Sequence, residues 1–109
     1  MAAPVVAEDD QTLAGAIAQL ARRGFAESLS VVGDRLRAVE TQKTFRAEDV
    51  VIREYRRFEG VSDPDDTAIV YAIEATGGTR GTLVDAYGVY SDPDVGAFLE
   101  RVPIVERTR

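Results

Sequence analysis

Leu13, Ile17 and Leu20 recur at intervals of four and three with Ala14, Ala18 and Ala21 beside them, the stripe of an amphipathic helix. Asp10 or Thr12 stands where a side chain can cap its first amides. Arg22 and Arg23 fall in the last turn, where cations suit the helix dipole, and Gly24 supplies the stop. Beyond it, Leu29 and Val31, then Leu36 and Ala38, alternate with polar neighbours around Gly33-Asp34, which predicts two short strands on a tight turn. Residues 41–47 read as a polar connector. The next segment satisfies two periods at once: Val51, Tyr55 and Phe58 keep helical spacing, while Ile52, Glu54, Arg56 and Phe58 would share one face of a strand. The glycine and acidic turn beyond Phe58 favour a helical turn near residues 47–50 and then a strand to Phe58.

Alternation is clearer further on. Ile69, Tyr71 and Ile73 interleave with Val70, Ala72 and Glu74, and the return segment places Val84 and Ala86 on one side with Leu83, Asp85 and Tyr87 on the other. Thr76-Gly77-Gly78-Thr79 offers the positive-φ positions of a hairpin. A two-residue turn at the glycines would set Tyr71 opposite Val84; a longer loop would shift that register. Asp92 is placed to cap a short helix with Pro93 in its first position and Val95, Phe98 and Leu99 on its apolar side. Val102 to Val105 can lie along a sheet edge. The pattern predicts a single α+β domain, an antiparallel sheet of roughly four or five strands with the N-terminal helix on one face and a short helix near the C-terminus. Residues 1–10 and 106–109 are expected to fray.

Composition narrows the chemistry. The chain of 109 residues is long enough for one core, and 45% hydrophobic with 29% charged residues is a globular balance. A formal charge of −6 repels a phosphate polyanion on average, so no nucleic-acid role is expected; Arg22-Arg23 and Arg53, Arg56, Arg57 are the two local exceptions. Cysteine and histidine are both absent. That removes disulfides, thiolate and imidazole metal sites, and the usual triads with their near-neutral base. No cofactor is implied. The first residues carry no basic region followed by an apolar run, and no apolar stretch approaches the roughly eighteen residues of a membrane span, so a cytoplasmic protein without membrane contact is expected.

Ser-Asp-Pro-Asp occurs twice, at residues 62–65 and 91–94, bracketing the hairpin. Asp63, Asp65 and Asp66 near Glu59 could gather hard oxygens around a divalent cation, but the spacing is not that of a calcium-binding loop. A turn explains the first copy, since serine and aspartate bond back to nearby amides and proline fixes φ. A helix start explains the second. The segment 73–79 looks like a partial copy of the ribose-phosphate loop of phosphoribosyltransferases. It carries one acid where that family has two, and the residues after Thr79 read as a strand rather than a phosphate-binding helix, so a hairpin turn accounts for it. A third candidate is a surface of tyrosines and acids, Tyr71, Asp85, Tyr87 and Tyr90 with Arg57 and Glu59, for which cross-strand packing with rim hydroxyls is the plain alternative.

Taken together, Arg57-Phe58-Glu59-Gly60, residues 62–66 and the run from Gly81 to Tyr90, with Leu13, Ile17, Leu20 and Arg23-Gly24-Phe25, resemble a family of small bacterial proteins of about this length. Some members bear the label phosphoribosylpyrophosphate synthetase. Such synthetases are much larger and carry acidic metal and ribose-phosphate loops that this chain lacks, so the resemblance implies little about function. It also supports the strand reading of residues 52–58. The sequence therefore favours a non-enzymatic binding or assembly module acting as a homodimer, motivated by the missing histidine and cysteine and by apolar residues on both sides of the hairpin. The competing expectation is a small-molecule or divalent-cation site that binds a phosphorylated metabolite, with Arg57, Glu59 and Tyr87 holding the ligand and Asp63, Asp65 and Asp66 the metal.

Overall fold

A computed structural model describes residues 13–58, 68–86 and 92–105 of the chain. The predicted helix is α1, Leu13–Arg22. It ends in a two-bond glycine cap: Phe25 N donates to Leu20 O (2.9 Å), Gly24 N donates to Ala21 O (3.0 Å), and Gly24 takes the positive φ of 108° that this closure requires. Leu20 and Phe25, joined across the cap, enter one hydrophobic cluster with Ala16, Val70 and Ala72.

β1 (Glu27–Val32) and β2 (Arg35–Ala38) form the expected hairpin around Gly33-Asp34, with Val32 opposite Arg35. The connector then departs from its polar reading: Thr44–Phe45 is a two-residue strand, β3, because Phe45 pairs with Leu36 and packs against the core. A 3-10 turn at Ala47–Asp49 leads into β4, Val50–Phe58, as the punctuation suggested. β5 (Ala68–Ala75) and β6 (Arg80–Ala86) are the central hairpin, and α2 (Pro93–Glu100) comes next. Asp92 caps α2, its side chain accepting from Asp94 N at 2.9 Å, with Pro93 at the helix start.

Among the described residues the sheet has six strands in the order β3-β2-β1-β6-β5-β4. The class is α+β as expected, but the sheet is larger than four or five strands and is mixed, because β1 runs parallel to β6. That pairing is short, Glu27 with Gly81 and Ser28 with Thr82. It depends on glycine: a Cβ at Gly81 would lie 2.3 Å from Glu27 O, which no side chain can occupy.

α1 and α2 lie on opposite faces of the sheet. α1 lies over Val70 and Ala72 of β5, with Phe58 of β4 at the margin. On the opposite face Val95 and Phe98 of α2 join Leu29, Leu36, Ile52 and Ile73. The β5–β6 loop is longer than two residues: Ala75 N donates to Thr79 O at 2.8 Å and Gly78 N to Ala75 O at 3.1 Å, with Gly77 and Gly78 both at positive φ. Tyr71 therefore pairs with Leu83 and Val70 with Val84. Because one step of register exchanges the faces, Leu83 is buried in the α2-side core while Val84 is 40% exposed. The residues after Thr79 form a strand, so the likeness to a ribose-phosphate loop stops at the turn.

β4 carries a bulge: Ile52 pairs with Ile73, but the next partner of β5, Ala72, faces Glu54, leaving Arg53 unmatched. This corrects the expected single face of Ile52, Glu54, Arg56 and Phe58. Ile52 goes to the α2 side, and the other three go to the α1 side. The tail lies along β4 as expected, with Ile52 N donating to Pro103 O (2.9 Å), Val105 N to Ile52 O (2.8 Å), and an isolated parallel bridge between Ile52 and Ile104. No helix among the described residues is long and apolar enough to cross a membrane.

The seam can be measured. Gly81→Ala is expected to lower the unfolding free energy by about 2 kcal/mol or more, since backbone must move to admit the methyl group. Gly78→Ala meets nothing within 4 Å, so only its positive φ resists the change, at about 1 kcal/mol. Urea unfolding of both variants checks the order; an equal loss would remove the seam's special role.

Candidate functional site

The bulge at Arg53 turns Tyr55 onto the α2 side, where it pairs with Tyr71. The two rings lie 6.2 Å apart between centroids and are tilted by 42°, a spacing at which aromatic edges and faces attract. Ile69 and Asp85, partners across β5 and β6, continue the same face. Above them stand Gly96, Leu99 and Glu100 of α2, and Ile104 closes one end. Together these residues line an open, largely apolar groove of about 380 Å³.

Asp85 fixes the roof to the floor. One of its carboxylate oxygens accepts from Asp92 N at 3.1 Å, while Asp92 itself caps α2, so the helix start is held against the end of β6. Ile104 is placed by the two backbone bonds that Ile52 makes on its outer side. The groove is thus built from an edge strand, its neighbour and a helix that hydrogen bonds orient. It offers aromatic and aliphatic surface with two carboxylates, Asp85 and Glu100, in its lining.

Tyr71 and Asp85, both named from the sequence, meet in this groove. Arg57 pairs with Ile69 in the sheet register, next to it along β4. Glu59, Asp63, Asp65, Asp66, Tyr87 and Tyr90 lie outside the described residues, so the cation reading and the remainder of the tyrosine surface stay as sequence expectations. Among the described residues no three acids gather in a way that could hold a metal ion. Tyr55, Leu99 and Ile104 are groove residues that the sequence did not single out. Tyr55 was visible only as one member of a helical spacing, and the bulge that redirects it leaves no mark in the hydrophobic pattern.

No family model, no curated protein and no solved structure matches the chain. Its candidate chemistry therefore rests on geometry.

The opposite, α1 side of the sheet brings together Arg23 and Arg56, one member from each of the two arginine clusters that lie some thirty residues apart in the chain. Arg23 grips Glu54 with both terminal nitrogens, at 2.8 and 3.3 Å, and Arg56 binds the same carboxylate at 3.2 Å through Nη2 and 3.3 Å through Nε. The dipole role expected for Arg22-Arg23 is thus joined, for Arg23, by an ion pair to β4. Arg53, the bulge residue, donates from Nε to Glu74 at 2.9 Å and from Nη1 to Val105 O at 3.3 Å. The hydrogen bond from Arg23 holds the Glu54 carboxyl below the usual glutamate range, partial burial works against it, and the charges of Arg23 and Arg56 add to the lowering.

Because the folded pKa of Glu54 is depressed, its contribution to stability is present above the ordinary glutamate value of about 4.3 and is lost as pH falls through the lowered folded value. The carboxylate and Arg23 are both partly solvated, so the pair contributes no more than about 1 kcal/mol. Glu54→Gln is expected to lower stability slightly at neutral pH and to flatten the acid limb of the stability profile. Urea midpoints from pH 7 down to acid check this, and an unchanged acid limb would remove Glu54 from the account.

Proposed function

We propose that the chain is a binding and assembly module that joins a second copy of itself through the Tyr55–Tyr71 groove and the outer side of β4. The observation that carries this reading is the grouping of exposed apolar side chains there: Tyr55 and Ile104 are each 54% exposed, and Val105 is 41% exposed. Large apolar side chains clustered on one patch, beside an edge strand, are the usual mark of a contact surface. Among the described residues β4 is the outermost strand on its side of the sheet, and the tail residues Pro103 and Val105 bond to its outer side at Ile52. A two-fold contact would bring the same patch together from both copies, with each tyrosine pair inserted where the other copy presents aliphatic surface. The absence of histidine and cysteine from the sequence supports a binding role over a catalytic one. With this reading goes membership in the small bacterial family that the chain resembles.

The groove volume of about 380 Å³ also falls in the range of small-molecule sites. An apolar ligand lying between Tyr55 and Leu99, with a polar end toward Asp85, is the second reading.

Sedimentation velocity separates the two. The wild type is expected to sediment as a dimer at high micromolar concentration. Tyr55→Lys combined with Ile104→Lys should weaken association by about thirtyfold or more and leave the folded chain's circular dichroism spectrum unchanged, because both side chains are about half exposed. A wild type that remains monomeric at that concentration would sink the assembly reading and leave the small-molecule one.

A further inference from the structure

We propose that the chain has a second binding site on the other face of the sheet, a recess between the end of α1 and the β5–β6 hairpin that takes a small oxyanion. Its occupant would be a phosphate monoester or a compact dicarboxylate. The recess has a volume of about 330 Å³ and is lined by Phe25, Arg53, Glu74 and Arg80. Unlike the tyrosine groove, its lining is dominated by charge, with two guanidinium groups against one carboxylate. That local excess of positive charge stands in a chain whose formal charge is −6.

Arg80 is the decisive residue. It faces Glu74 directly across the hairpin, yet Glu74 spends its bond on Arg53. Among the described residues the Arg80 guanidinium has no carboxylate partner. It is nevertheless held in place. Its carbon sits 5.5 Å from the centre of the Phe25 ring, a cation–π distance, and it lies so close to Gly24 that a Cβ there would come within 3.2 Å of it.

This packing holds the guanidinium at the wall of the recess, where its N–H groups would meet a ligand. An N–H edge is the geometry that grips two oxygens of a phosphate or carboxylate. Holding the side chain beforehand also reduces the rotamer freedom lost on binding. Gly24 thus serves two ends: its positive φ closes α1, and its missing side chain makes room for Arg80. Arg53 stands on the far wall, its Nε and Nη1 already bonded, which fixes a second positive charge facing the same space. The proposal does not depend on self-association through the tyrosine groove, because the two sites lie on opposite faces.

The test is a titration of the ¹⁵N-labelled chain with inorganic phosphate and, separately, with succinate, each at ionic strength matched with sodium chloride, together with calorimetry. The amides of Gly24, Phe25, Glu74 and Arg80 are expected to shift saturably, with dissociation constants of about a millimolar. Tighter phosphate binding assigns a phosphoryl ligand, and tighter succinate binding assigns a carboxylate. Arg80→Gln should weaken either by about tenfold or more. Arg22→Gln, on the exposed side of the last helical turn, should change nothing. Glu74→Gln should tighten binding severalfold, since it removes the recess's own negative charge, and a merely structural role for Glu74 would not produce that gain. Shifts that sodium chloride alone reproduces, or an Arg80→Gln chain that is folded by circular dichroism and binds like the wild type, would overturn the proposal.

Discussion

β4 has to serve two cores with one strand, and the single extra residue at Arg53 is how it does so. A regular strand sends alternate side chains to opposite faces. Ile52 and Phe58, an even number of positions apart, would then fall on the same side. The bulge reverses the alternation between them, so Ile52 is buried under α2 while Phe58 packs beside α1. Tyr55 and the arginine-bound Glu54 take their positions from the same reversal. Both candidate sites therefore descend from one irregularity in one ladder.

The bulge residue is also restrained on both sides. Arg53 is tied to Glu74 on the neighbouring strand and to the backbone of Val105 in the tail. These bonds hold a guanidinium that would otherwise swing in solvent, and they connect the sheet edge with the chain beyond α2. The tail in turn supplies Ile104 to the tyrosine groove. A polar contact on one face thus helps set the shape of an apolar surface on the other.

Where local chemistry decides structure, the sequence was readable. Gly24 after a leucine stripe, Gly33-Asp34 between two alternating runs, and Asp92-Pro93 before Val95 each specify an element through conformational needs that a neighbour of any kind would leave unchanged. The class and both helices came from such signals. What the sequence did not disclose depends on distant partners. β3 is only two residues, stabilised by Phe45 against Leu36, and nothing nearby distinguishes it from a loop. The hairpin register turned on whether Thr76 joined the loop, a difference of one residue that patterns of alternation do not resolve. Tyr71 and Asp85 could be suspected as surface residues, but their companions Tyr55, Leu99 and Ile104 come from three other parts of the chain. The recess at Arg80 was hidden for a similar reason: Arg80 stands apart from the two arginine clusters, Arg53 was grouped with Arg56 and Arg57 instead, and Gly24 read only as a helix stop.

The parallel seam between β1 and β6 has a consequence for how the domain forms. Each half of the sheet is a set of neighbours along the chain, β1 to β3 on one side and β4 to β6 on the other, held by antiparallel pairing. Among the described residues the halves are joined by strand pairing at two positions, Glu27 with Gly81 and Ser28 with Thr82, separated by about fifty residues of intervening chain, a loop whose closure carries an entropic cost that local hairpins do not. α2 lies across the join, with Val95 and Phe98 in a core shared by Leu29 of one half and Ile73 of the other. The topology thus makes docking of the halves the non-local step of folding, and it makes α2, which spans the join, the element that locks it.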